Sequence, residues 1–306
     1  MREGAADRFC MTRRFRGARP GGARGTDRAH EEKMQLETRR VTIPSSGEAL
    51  EAYLARPAAA PPLPAVIVVM EIWGVDAHVQ DVAHRLAASG YLAIAPDLYS
   101  RGGRAPELAE DRIAAAKALL EALPPAAWSD PAARAAAVAA RPEPERARLG
   151  QTLERLLPAQ RPMARWVGDL RATVAWLRSE PAAQGRRIGA VGFCMGGSLA
   201  ALLAAEEAGL AAAAIFYGAA PPPEKAAATA CPLIGFFGGD DPRVLASYPP
   251  FVEAMARAGR PFEQHVYPGT PHAFFNDTRR SYRPEPARDA WWRLLRFLGE
   301  SLTPPR

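Results

Sequence analysis

The chain is short of cysteine, of long apolar runs and of charge beyond its first tenth, and each shortage excludes a class of protein. Three cysteines among 306 residues, Cys10, Cys194 and Cys231, are too few and too scattered for a disulfide framework or a zinc site. A reducing, cytoplasmic setting fits that usage best. No segment reaches the roughly 18 consecutive apolar residues of a membrane-spanning helix, so no membrane partner is expected. The net charge of +6 is concentrated, because residues 1 to 33 hold eight Arg and one Lys against five acids. Four of the six net charges therefore sit in that stretch, and the remainder carries no electrostatic footprint for nucleic acid. There is no internal repeat.

Residues 1–36 also have few large apolar side chains and no period, so burial cannot offset the entropy of ordering them. They are expected to form a disordered Arg/Gly-rich leader. Arg13 and Arg14 are not followed by the apolar run that an export signal requires. Apolar, strand-like text begins only after Met34, so the leader reads as a dispensable tail or as an upstream start.

What is present from there on is an alternation of strand-like and helix-like text, which predicts an α/β fold: a mostly parallel central sheet with helices on both faces. One domain over residues 37–303 accommodates it. VTIPSS and ALEAYLARP predict an antiparallel pair about Ser46–Gly47, and AVIVVM (65 to 70) is a β-branched run of the kind covered on both faces. Asp76 caps a helix with Val79, Val82, Ala83 and Leu86 on one face and Gly90 at its stop. The stretch 104–162, rich in Ala, Pro, Arg and Glu, reads as two or three short helices inserted between strands. In the last helix Trp291, Leu294, Leu295, Leu298 and Leu302 form a stripe that predicts core.

Gly192-Phe193-Cys194-Met195-Gly196 has the spacing of a nucleophile elbow, a sharp strand-to-helix turn in which glycines two positions away let the backbone pass. The thiol would then stand clear of the sheet, near the positive end of a helix, where a thiolate is favoured. A buried structural cysteine is the competing reading of the pentapeptide alone. An acid and a histidine should follow in that order. FFGGDDPRV puts Asp240 and Asp241 on a turn leaving a strand, and YPGTPHAFF puts His272 in a loop at the carboxyl end of another, where open α/β sheets hold ligands. The other histidines fall in the leader (His30), in the first helix (His78, His84) or within a strand (His265). Glu71 follows the strand AVIVVM directly and is flanked by Met70, Ile72 and Trp73, an apolar setting that suits a carboxyl group to proton exchange with a thiol.

Taken together, MEIWGV, PDLYSR, GDL, GFCMGG, FFGGDDPRV and YPGTPHAFF resemble the dienelactone hydrolase (carboxymethylenebutenolidase) family of the α/β-hydrolase fold, over roughly residues 40 to 300. The resemblance implies Cys194 as nucleophile, Asp241 rather than Asp240 as the acid, His272 as base, and Glu71 as the carboxylate that takes the thiol proton. It implies an oxyanion hole from the backbone N–H groups of Ile72 and Met195, and no metal or organic cofactor. Arg101 in PDLYSR matches the first of two arginines that grip a substrate carboxylate, while Asn276 stands where the second is expected and Ala273 where a serine is. Trp73, Tyr99, Tyr217, Phe274 and Asn276 join Arg101 as candidate substrate-binding residues. The expected activity is hydrolysis of a small ester or lactone, anionic in character, by a monomer or small homo-oligomer. A binding protein that keeps the pocket and has lost turnover is the alternative, and a redox-sensing Cys194 is a third reading, although no resolving cysteine lies nearby in sequence.

Overall fold

The computed structural model describes residues 35–303 apart from Ser129, so the expected leader lies outside the described residues almost entirely. The chain opens with β1 (Leu36–Ser45) and β2 (Glu48–Pro57), paired antiparallel with Ser45 opposite Glu48. The Ser46–Gly47 turn takes positive φ at both residues, the geometry of a tight hairpin that matches strand twist. β3 (Ala65–Val69) leads into α1 (Ala77–Ala88), whose first turn is capped by Asp76 accepting from Val79 N at 3.2 Å. β4 (Leu92–Pro96) follows.

The inserted segment holds α2 (Glu110–Glu121), a 3₁₀ turn Pro125–Trp128, α3 (Pro131–Ala139) and α4 (Glu145–Leu156). α2 buries Ile113, Ala116, Leu119 and Leu120, whereas α3 buries no residue. α4 buries Leu149, Thr152, Leu153 and Leu156, so the segment is built on two helices that each have a buried face. Arg112 fastens α2 to α4 through Thr152 Oγ1 (3.1 Å) and the Arg148 carbonyl (2.8 Å).

α5 (Met163–Ser179), β5 (Ile188–Phe193), α6 (Met195–Glu206), β6 (Ala212–Phe216) and β7 (Leu233–Gly238) restore the alternation. Then come α7 (Pro242–Leu245), α8 (Tyr248–Arg257), β8 (Phe262–Tyr267) and α9 (Pro284–Leu302). Among the described residues eight strands form one sheet in the order β1-β2-β4-β3-β5-β6-β7-β8. Only β2 runs against the rest, since β1 and β4 both pair with it antiparallel and the other pairs are parallel.

Every residue of β3, β4, β5 and β6 is buried, because helices cover both faces. Fully burying each Val or Ile there stabilises the fold by about 1.5–3 kcal/mol relative to exposure. Leu294, Leu298 and Leu302 of α9 are buried against this core, with Trp291 and Leu295 half-buried beside them. All parallel strands end on one edge, and the loops leaving β3, β5, β7 and β8 carry Glu71, Cys194, Asp241 and His272 respectively.

Candidate active site

Cys194 sits at the junction of β5 and α6 with φ 53° and ψ −116°, a region an L-residue occupies only when its surroundings impose it. Those surroundings are backbone. A Cβ on Gly192 would collide with the Gly196 carbonyl, and one on Gly196 would collide with the carbonyls of Val69 and Met70. The two glycines of the elbow are therefore required by contact, and the second one presses the turn against the end of β3. Glu71 follows directly on that contact, and its charge and that of Cys194 act on the same Tyr217 phenol. Cys194 N donates to Phe216 O at 2.9 Å, which ties the turn to β6 as well. Cys231 differs: it is buried in the core, and burial pushes its thiol up to about 12.

Asp241 Oδ2 lies 2.5 Å from His272 Nδ1, so of the two adjacent aspartates it is Asp241 that meets the histidine. The loops that carry them are locked together. Asp240 N donates to Thr270 O at 3.0 Å and Gly239 N to Tyr267 O at 2.8 Å. Burial pulls the His272 imidazolium down, but the Cys194 thiolate, the hydrogen bonds to Asp241 and Cys194 and the Asp241 charge outweigh it, and the ring is raised to about 10. The Tyr217 ring packs edge-on against His272, with centroids 5.1 Å apart.

Glu71 is almost wholly buried. Its Oε2 accepts from Asn276 Nδ2 at 3.2 Å, and its Oε1 has no hydrogen-bond partner among the described residues. Tyr217, which follows β6 with φ 41°, has a hydroxyl equally without a partner among the described residues. Burial first, then the charges of Glu71 and Cys194, push that phenol well above its ordinary value, so both groups face it. His78 of α1 is buried beside Phe193 and Phe275, and burial pulls its imidazolium below the ordinary value against the opposing charges of Glu71 and Asp76.

The Ile72 carbonyl accepts from Tyr99 Oη at 2.9 Å, which fixes the peptide plane next to Glu71. Neither the Ile72 nor the Met195 N–H donates to another backbone group among the described residues, as helix geometry dictates for the first turn of α6. Trp73 packs edge-on against Trp128 of the inserted segment, with centroids 5.8 Å apart. Arg279 stacks over Trp128 at 4.6 Å and its Nε meets Glu121 Oε1 at 2.5 Å. Lys117 Nζ reaches Asp76 Oδ2 at 2.9 Å. The inserted helices thus lean on the loops after β3 and β8.

The candidate substrate-binding residues divide. Arg101 is not free: its Nη1 donates to Asp169 Oδ1 at 2.8 Å and its Nε lies 3.2 Å from Glu48 Oε2. Asp169, fully buried on α5, also accepts from Ser45 Oγ at 2.6 Å. A buried aspartate thus holds the guanidinium that the family resemblance assigns to a substrate carboxylate. Tyr217, Phe274 and Asn276 have at most 1 % of their surface exposed, so they form the floor behind the site. Tyr99 and Trp73 are buried too, their polar or aromatic faces engaged by Ile72 and Trp128. Arg161, not singled out from the sequence, is half-buried in the loop before α5 and without an ion pair among the described residues. Its charge acts on the Tyr99 phenol, whose own ring packs against Trp166 at 6.1 Å. No spacing rule points to it, because the inserted segment delivers it. Among the described residues no three His, Cys, Asp or Glu side chains gather as a metal site would need.

A cysteine on a strained strand-to-helix turn, a histidine held by a carboxylate and an eight-stranded, mostly parallel sheet define an α/β-hydrolase-fold protein. The defining pattern of the dienelactone hydrolase family matches residues 50–302, and the chain belongs to that family of hydrolases. A Saccharolobus solfataricus protein named "Putative carboxymethylenebutenolidase" is 34% identical over 254 residues, covering 83% of this chain and 95% of its own. A Synechocystis protein of the same name is 32% identical over 281 residues, covering 88% and 99%. A crystal structure of a "Putative Dienelactone Hydrolase" from Klebsiella pneumoniae superposes with a TM-score of 0.67 at 31% identity, over 87% of this chain and 99% of that one.

Proposed function

We propose that the chain is a cysteine-dependent hydrolase of a small ester or lactone that works through an acyl-enzyme. The 2.5 Å contact between His272 Nδ1 and Asp241 Oδ2 carries the reading, since it leaves Nε2 for the Cys194 sulfur. The thiol proton passes to Glu71, and the thiolate attacks the carbonyl carbon. A C–S bond forms while the C–O bond of the leaving group breaks, and His272 Nε2 protonates the departing oxygen. The now neutral His272 takes a proton from water as it attacks the thioester, the C–S bond breaks to release the acid, Glu71 returns its proton to the sulfur, and Asp241 stabilises the imidazolium whenever His272 carries the proton. The N–H groups of Ile72 and Met195 meet the charge on the carbonyl oxygen, each worth about 10²–10³ in rate. Every step rests on a side chain or backbone group, and no cofactor is invoked.

The preference for an anionic substrate rests on Arg161 in place of Arg101, because a guanidinium without an ion pair among the described residues can meet a carboxylate with two parallel N–H groups. The test of the mechanism is trapping with an activated ester such as p-nitrophenyl acetate, followed by mass spectrometry. The expected adduct is one acyl group on Cys194. No adduct on Cys194 at any pH between about 6 and 9 would sink the mechanism.

A further inference from the structure

We infer that Asn276 is a positioning residue that holds Glu71 as a proton acceptor facing Cys194, and that it does so with a neutral amide whose direction Thr278 fixes. The inference rests on the reading of Cys194 as nucleophile. Asn276 is fully buried, and its Oδ1 accepts from both Thr278 N (3.1 Å) and Thr278 Oγ1 (2.7 Å). Two donors on one side leave the amide a single orientation, because the flipped group would set an N–H against them. The Nδ2 side then points to Glu71 Oε2 at 3.2 Å.

The segment itself is anchored. Asn276 N donates to Ala273 O at 3.2 Å, Arg279 N to Asn276 O at 3.1 Å and Arg283 N to Phe274 O at 2.9 Å. One short loop thus carries both His272 and the amide that orients Glu71, with the left-handed Ala273 (φ 59°) between them. The Glu71 charge acts on His78 of α1 and on Tyr217 after β6; His78 also feels Asp76, Arg85 and Asp277, and Tyr217 also feels Cys194 and Arg279. Among the described residues Asn276 supplies the hydrogen bond that Glu71 receives.

An N–H donated to a carboxylate favours its charged form. Without it the charged carboxylate loses a donor that stabilises it in place, so the negative charge that opposes a thiolate at Cys194 is weakened. Asn276→Ala should therefore raise the rate of Cys194 alkylation by iodoacetamide at pH 7 about tenfold, equivalent to about one pH unit in the profile. Thr278→Val, which removes one of the two orienting donors, should change it in the same direction by less. In a Glu71→Gln background alkylation should already be fast and Asn276→Ala should add nothing, since the amide acts through the carboxylate. An unmoved alkylation profile in Asn276→Ala, or an equal effect with and without Glu71, would overturn the inference. Thr278→Val serves if Asn276→Ala does not fold. Alkylation reads the thiol whether or not any ester turns over, so failure of the acyl-trapping experiment would remove the hydrolase mechanism while leaving this coupling measurable.

Discussion

Replacing Arg101 by alanine separates a structural ion pair from a substrate clamp. The guanidinium is 13% exposed and its partner Asp169 is fully buried. Removing it leaves a carboxylate in the interior with only Ser45 Oγ to answer it. Breaking one side of a buried pair costs about 3–5 kcal/mol, and the partial exposure of Arg101 puts the loss near the lower end. For a domain of this size each kcal/mol moves the melting midpoint by about 2–4 °C, so Arg101→Ala should melt about 6–12 °C lower. The ester kinetics measured well below that midpoint should keep KM within about twofold for substrates with and without a carboxylate. The double variant Arg101→Met with Asp169→Asn should recover most of the lost stability, because it neutralises the pair and keeps an acceptor for Ser45. The assay is thermal unfolding by circular dichroism beside steady-state hydrolysis of matched acidic and neutral esters. An unchanged melting midpoint together with a rise in KM confined to the acidic esters would refute the reasoning and restore Arg101 to the substrate.

Arg161→Ala should do the opposite: KM for carboxylate-bearing esters rises about tenfold, neutral esters are little affected and thermal stability barely changes. Equal effects on both ester classes would remove the anionic preference. His272 is raised to about 10, with Cys194 foremost among the groups that oppose burial and raise it. A raised folded value adds stability that is complete below the ordinary histidine value of about 6.5 and is lost as pH climbs toward 10. The melting midpoint should fall across that window, and Cys194→Ala should flatten the fall. A slope identical in both proteins would show that the thiolate does not hold the imidazolium.

The elements were legible because their signals are local. Asp76 caps α1 as its position before Val79 implies, and the β-branched run 65 to 70 is a strand covered on both faces. Cys194, Asp241 and His272 were named from the elbow spacing, chain order and family resemblance, and the loops bring all three to one edge of the sheet. The choice between Asp240 and Asp241 is one residue wide, and only the turn after β7 shows which carboxylate meets the imidazole. The motif of Arg101 says where a guanidinium stands along the chain and nothing of its partner Asp169, 68 residues away. Asn276 stood out as an absence, a missing arginine, and its actual partner Glu71 is 205 residues distant.

The sequence by itself therefore determined the layered α/β fold, its order of elements and which residue types could react, since hydrophobic periodicity, capping and the two-glycine elbow act over a few residues. Tertiary structure alone decided which polar group answers which. A buried donor or acceptor must find a partner in whatever segment the topology brings beside it. That is how Asp169 came to hold Arg101, Thr278 to orient Asn276, and the inserted helices to set Trp128 over Trp73.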